Sequence, residues 1–96
     1  MIRMEIKIVE RGDKYAKIEV KGEDHTLLHA LQDEALRDEN VEYVGYHIPY
    51  PLERRGIIVI RVKEGDPIVA LERAAKKLIE DTDMIHKLFL EASKGA

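Results

Sequence analysis

His25 and His29 stand four residues apart, the spacing that puts two imidazoles on one face of a helix, where they can share a metal ion. A hydrolytic metalloprotease also needs a glutamate directly after the first histidine. Here that position is Thr26, and no further ligand is identifiable. The pattern therefore favours a hydrogen bond at a helix entry for His25 and partial burial for His29 over a metal pair. His47 and His86 are isolated and fit surface or packing roles. There is no cysteine and only one serine, Ser93, so neither a thiolate site nor a nucleophile beside a base can be assembled. The carboxylate pairs Asp33/Glu34 and Asp38/Glu39 fall on the outer side of a predicted helix, where solvation is the default and acid–base work lacks a cleft. No glycine-rich loop joins a strand to a helix, which removes the nucleotide-binding fingerprints. Tyr43, Tyr46 and Tyr50 beside Arg54 and Arg55 could stack bases and hold phosphates. Without the Gly-aromatic pattern of an RNA-recognition motif, tyrosines packed on a sheet and arginines on a loop are favoured instead. No catalytic, cofactor-binding or metal-binding residue is expected, and no cofactor.

The elements that would position such groups follow from hydrophobic periodicity. Ile2, Met4, Ile6 and Ile8 alternate with Arg3, Glu5 and Lys7, and Ala16, Ile18 and Val20 alternate with Lys17, Glu19 and Lys21. Turn residues between them, Arg11 to Lys14, predict an antiparallel hairpin. Asp24 or Thr26 can cap a helix running to about Arg37, with Leu27, Leu28, Leu31, Ala35 and Leu36 on its apolar side and Asn40 suited to its stop. Val41 to Ile48 reads as a third strand, with Val44, Tyr46 and Ile48 on one face and Val41, Tyr43 and His47 on the other, ended by Pro49-Tyr50-Pro51. Ile57 to Val62 is a fourth, nearly continuous in Ile and Val, the mark of a strand that is central or covered on both faces.

Asp66 to Ser93 reads as one long helix. Asp66 suits the cap and Pro67 the first helical position. Leu71, Ala75, Leu78, Thr82, Ile85, Phe89 and Ala92 then recur at alternating steps of four and three, which holds them on one seam. About 27 residues at 1.5 Å each make a rod of roughly 40 Å, longer than a compact chain of this size can cover. Its far half, with Met84, Ile85, Leu88 and Phe89, is therefore expected to overhang and to require a protein partner; the alternative is that the stripe is only the domain's own core and the last turns fray. Ile85→Asp or Phe89→Asp is expected to abolish that pairing while leaving the sheet folded.

The order of two strands, helix, two strands, helix predicts an α+β fold. It is a two-layer ββαββα arrangement in which a four-stranded, mainly antiparallel sheet carries two helices on one face, the C-terminal one long. All 96 residues suit a single domain. Sixteen basic against nineteen acidic residues leave a net charge of −3, which offers nucleic acid no general attraction. No apolar run is long enough to span a membrane, and the start Met1 to Glu5 lacks the apolar core of a signal peptide, so a cytoplasmic chain is expected.

Gly22-Glu23-Asp24-His25-Thr26-Leu27, then Ala30-Leu31, then Val41 with Gly45-Tyr46, Ile48-Pro49 and Pro51-Leu52 resemble subunit L of archaeal DNA-directed RNA polymerase, the small alpha-like subunit. The similarity spans nearly the whole chain; His29 and Tyr50 depart from residues usual in that family. The resemblance implies a non-catalytic subunit that forms a heterodimer, through its helices, with the larger alpha-like subunit, designated D. It also implies a platform on which the large catalytic subunits and small zinc-binding subunits assemble, with DNA or RNA contact only inside the complex, if at all. It carries over no catalytic or metal residue. The apolar stripes themselves select the expected interface: Leu27, Leu28, Leu31 and Leu36 on the first helix and Leu78, Ile85 and Phe89 on the last. An isolated chain can cover its stripe with a second copy, as a homodimer. Two other readings remain: a free-standing homodimeric nucleic-acid-binding module using Tyr43, Tyr46, Arg54 and Arg55, and a small-molecule enzyme using His29 or His47.

Overall fold

The computed structural model describes the chain over residues 5–21, 25–50, 55–79 and 82–95. The expected roles of Ile2, Met4, Asp24, Pro51, Leu52 and Arg54 lie outside the described residues. The elements run β1 (Glu5–Arg11), β2 (Tyr15–Lys21), α1 (His25–Leu36), β3 (Val41–Tyr50), β4 (Arg55–Val62), α2 (Pro67–Leu78) and α3 (Thr82–Gly95). The four strands form one antiparallel sheet in the order β1-β2-β4-β3, so the two predicted hairpins lie side by side with β2 and β4 central.

Alternation decides which face is covered. Ala16, Ile18 and Val20 of β2 and Ile58, Ile60 and Val62 of β4 are buried, with Leu28 and Leu31 of α1, Leu71 and Ala75 of α2, and Ile85 and Phe89 of α3 packed over them. Val41, expected to share a face with Tyr43, is instead buried with Val44. A register shift between Val41 and Tyr43 inserts one residue into β3 and reverses the phase. The strand also runs on through Pro49 to Tyr50, across a second irregularity. Proline is tolerated there because β3 is an edge strand.

Asp66 caps α2 as its type predicts: its backbone is extended (φ −92°, ψ 120°), its Oδ1 accepts from the Ile68 N–H at 2.8 Å, and Pro67 takes the first turn. Its other oxygen, Oδ2, accepts from Arg11 Nη2 at 2.7 Å. That pair is half exposed and worth little. Asp66→Ala is expected to lower stability by about 1 kcal/mol, whereas Asp66→Asn, which keeps an accepting oxygen, should lose only a few tenths; urea unfolding midpoints distinguish them. Just before the cap, Gly65 has φ +84°, a conformation that penalises any side chain.

The long helix predicted from Asp66 to Ser93 is two helices. Ile79 leaves α2 in extended conformation (φ −121°, ψ 125°), its N–H still bonded to Ala75 O at 3.0 Å, and α3 begins at Thr82. The sequence Glu80-Asp81-Thr82-Asp83 is rich in residue types that compete for backbone hydrogen bonds and favour helix starts over helix interiors. The second half does not overhang. It turns back to pack on β1 and α2, and the molecule measures 34 × 28 × 26 Å with a radius of gyration of 12.1 Å. Ile85 and Phe89, expected in water, are 0% and 3% exposed. No helix among the described residues is long and apolar enough to cross a membrane.

Two close approaches fix the layers. A Cβ on Gly56 of β4 would collide with Leu28 Cδ1 of α1, so glycine is what allows the first helix to sit down on the central strand. Leu28 is buried, so its side chain clears an added methyl only by repacking against its neighbours, and Gly56→Ala is expected to cost about 1–3 kcal/mol, read as a lowered thermal midpoint. At the opposite end, Asn40 Nδ2 donates to Glu64 O at 2.6 Å and Asn40 Oδ1 accepts from Glu64 N–H at 3.1 Å. This clasps the α1–β3 loop to the β4–α2 loop. The residue expected to stop α1 also joins the two halves of the chain.

Candidate interaction surfaces

The groups with chemical potential do not converge. Tyr43 and Tyr46 lie on opposite sides of β3: Tyr46 packs against the core and Tyr43 is 56% exposed on the uncovered face. Arg55 pairs with Glu19 at 3.7 Å, and neither Arg54 nor the Tyr50 side chain falls within the described residues. The predicted stacking and phosphate patch is therefore split. His29 meets Tyr46 Oη through Nδ1 at 3.5 Å and Asp33 Oδ2 through Nε2 at 3.4 Å, with its ring edge-on to Tyr46. Both of its nitrogens face protein partners, while the His25 side chain lies outside the described residues. His86 Nδ1 lies 3.3 Å from Glu72 Oε1, and His47 is exposed. Among the described residues no three potential ligands cluster, and no polar or charged side chain is buried.

The apolar candidates do converge. Leu27, Leu28, Leu31, Leu78 and Phe89 all line one small cavity of about 20 Å³, with Ile6, Ile18, Val20 and Leu71 among its other walls. Every wall is apolar, so the space is of the kind that stays dry. Two ion pairs set the helices beside it: Asp38 with Arg73 at 3.1 Å, and Glu34 with Lys77 at 4.0 Å. These pairings match an antiparallel course of α1 and α2, and Leu27 at the start of α1 and Leu78 at the end of α2 line the same cavity. Leu78 is 38% exposed and Leu27 half-buried, whereas Leu28 and Leu31 lie beneath them. Leu36, expected on the apolar side of α1, is 52% exposed at its far end. The helix layer thus has a buried floor and an apolar upper edge.

Among the described residues nothing covers the sheet's other face, and the ladders place its residues in rows. Tyr15, Arg61 and Tyr43 form one row across β2, β4 and β3; Glu10, Lys17, Val59 and Gly45 form the next, and Lys7, Glu19, Ile57 and His47 the third. A fourth sets Glu5, Lys21 and Arg55 abreast. The Arg61 guanidinium stands 5.6 Å from the centre of the Tyr15 ring, a cation–π distance.

Comparison with known proteins bears on the helix layer. The profile of the RNA polymerase Rpb3/Rpb11 dimerisation domain matches residues 15–87. The chain belongs to the Rpb3/Rpb11 dimerisation-domain family. Within it, the chain is 38% identical over 93 residues to the DNA-directed RNA polymerase subunit Rpo11 of Methanocella arvoryzae, covering 96% of this chain and all of that one. It is 36% identical to the Rpo11 of Korarchaeum cryptofilum over 92% of this chain and 91% of the other. A crystal structure of RNA polymerase subunit L from Thermoplasma acidophilum superposes with a TM-score of 0.71 at 28% identity, over 93% of this chain and 88% of that one. The Rpb3/Rpb11 match begins at β2 and ends inside α3, so it contains α1, α2, the break between the last helices, and both Ile57 and Val59.

Proposed function

We propose that the chain is the small, non-catalytic subunit of a DNA-directed RNA polymerase, that it forms a heterodimer with the larger alpha-like subunit through its helix layer, and that this pair is the platform on which the catalytic and small zinc-binding subunits assemble. The carrying observation is the match of residues 15–87 to a dimerisation domain, in a chain whose α1–α2 edge leaves Leu78 and Leu36 in water. Among the expected interface residues, Leu27, Leu36 and Leu78 are the contacts a partner meets. Leu28, Leu31, Ile85 and Phe89 are the layer beneath that holds them in place. The cytoplasm, where the polymerase works, is its compartment.

The test is co-expression with the larger alpha-like subunit, followed by sedimentation equilibrium. A 1:1 complex with a dissociation constant below about 1 μM is expected, equivalent to some 8 kcal/mol of binding. A chain that stays with itself, or alone, in the presence of that larger partner would sink the reading.

A further inference from the structure

We infer that the uncovered sheet face is a second protein-binding surface, fitted to an acidic polypeptide segment with apolar side chains between its acids. The inference rests on the chain being part of an assembly, as proposed above, but concerns a face the helix-layer partner does not use.

The decisive element is β4. A strand with one wet face alternates apolar with polar residues, whereas β4 places Ile57 and Val59 on the side that the helices leave bare. Both are only half-buried. Its composition is that of a strand covered twice, yet among the described residues it is covered once. Around this apolar centre stand Tyr15, Arg61 and Tyr43, residue types enriched where interfaces are tightest. Tyr43 leans along its own strand over Gly45, where a Cβ would fall 2.7 Å from its hydroxyl, so its ring lies along the face and covers the glycine.

Charge selects the partner. Among the described residues, the paired positions of these rows hold five cations and three acids, an excess of two positive charges, although the chain as a whole is at −3. The remainder of the molecule is correspondingly more acidic, so an acidic partner is steered to this side. Nucleic acid is disfavoured because acids interleave with the cations in the rows, and because the centre is aliphatic rather than an aromatic stacking platform. Four strands spaced about 4.8 Å apart, some seven residues long, present on the order of 400 Å². That is roughly half of one side of a standard interface. Such a contact is too small to hold a complex alone but suffices for a chain already anchored through its helices.

The experiment uses the assembled polymerase carrying a photoreactive benzoylphenylalanine in place of Tyr43, and separately in place of Leu78. The probe at Tyr43 is expected to join an acidic peptide of a polymerase subunit other than the one joined from Leu78. Crosslinks from Tyr43 to nucleic acid, to an acid-free peptide, to the subunit reached from Leu78, or to nothing while Leu78 crosslinks efficiently, would each overturn the inference. Failure of Leu78 to reach the larger alpha-like subunit counts instead against the proposed heterodimer. As a second readout, Arg61→Glu, at an exposed site, is expected to weaken retention of the crosslinked subunit at least tenfold while leaving the helix-layer pairing unchanged. Wild-type retention would contradict the surface assignment.

Discussion

Ile85→Asp is expected to destroy the cooperative fold of the chain itself. Ile85 is completely buried where α3 packs over the core, so the variant loses about 2–3 kcal/mol of burial and must desolvate a carboxylate among apolar neighbours. The sum exceeds about 4 kcal/mol, a large share of the 5–15 kcal/mol that holds a small domain together. A fall of at least about 15 °C in thermal midpoint follows for a chain of this length. Retention of a midpoint within a few degrees of the parent would mean that α3 is not docked as described. The sequence pattern alone gives this substitution the opposite meaning, a clean loss of pairing with the sheet intact. With α3 folded back, loss of pairing in Ile85→Asp reports unfolding and says nothing about the interface.

Leu78→Asp is the substitution that does. At 38% exposure on the upper edge of the α1–α2 seam, it removes only part of a buried side chain from the monomer, worth about 1 kcal/mol. It also sets a negative charge at the last residue of α2, where the helix's negative end costs a further 0.3–1 kcal/mol or so. A modest drop in thermal midpoint is therefore part of the expected result. In the proposed heterodimer the same carboxylate would be buried without a partner, and pairing with the larger alpha-like subunit should weaken by at least about 2 kcal/mol, roughly thirtyfold. Leu78→Lys separates the two effects: the lysine suits the helix end and spares the monomer, yet should still impair pairing. Unchanged affinity in both variants would remove Leu78 from the interface.

The hairpins, α1 and the start of α2 are legible because each rests on a local rule. Ala16, Ile18 and Val20 alternate, Leu28 and Leu31 keep helical spacing, and Asp66 with Pro67 is a helix start that needs no tertiary help. The break after Leu78 is hidden because the seam from Leu71 to Ala92 keeps its phase across it. Periodicity reports which way side chains point and is silent on whether the backbone between them is continuous. The capping types Asp81 and Thr82 are the available signal, and within a stripe they pass for one tolerable polar position. Val41 is misplaced for a related reason: a bulge shifts phase without leaving a mark in composition.

For the interaction surfaces, the stripe residues are found from spacing and most of them do meet, around the small apolar cavity. Which of them reach the surface depends on where α3 lies, a tertiary outcome no local pattern encodes. The aromatic patch fails because Tyr43 and Tyr46 are an odd number of residues apart on one strand, which sends them to opposite faces. The doubly apolar character of β4 is plain in its composition. What composition does not tell is that the described chain supplies only one of its two covers.

The pairing of β2 with β4 has a kinetic consequence. Each hairpin joins neighbours in sequence, but Ile18 meets Ile58 only after a loop of about 40 residues has closed, at an entropic cost that no local contact offsets in advance. The helix α1 lies inside that loop, and its Leu28 seats against Gly56 at the joining strand. The rate-limiting event in folding is accordingly expected to be the zipping of two preformed hairpins with α1 already in place. Substitutions at the Leu28–Gly56 contact should then slow folding, while those in α3 mainly hasten unfolding.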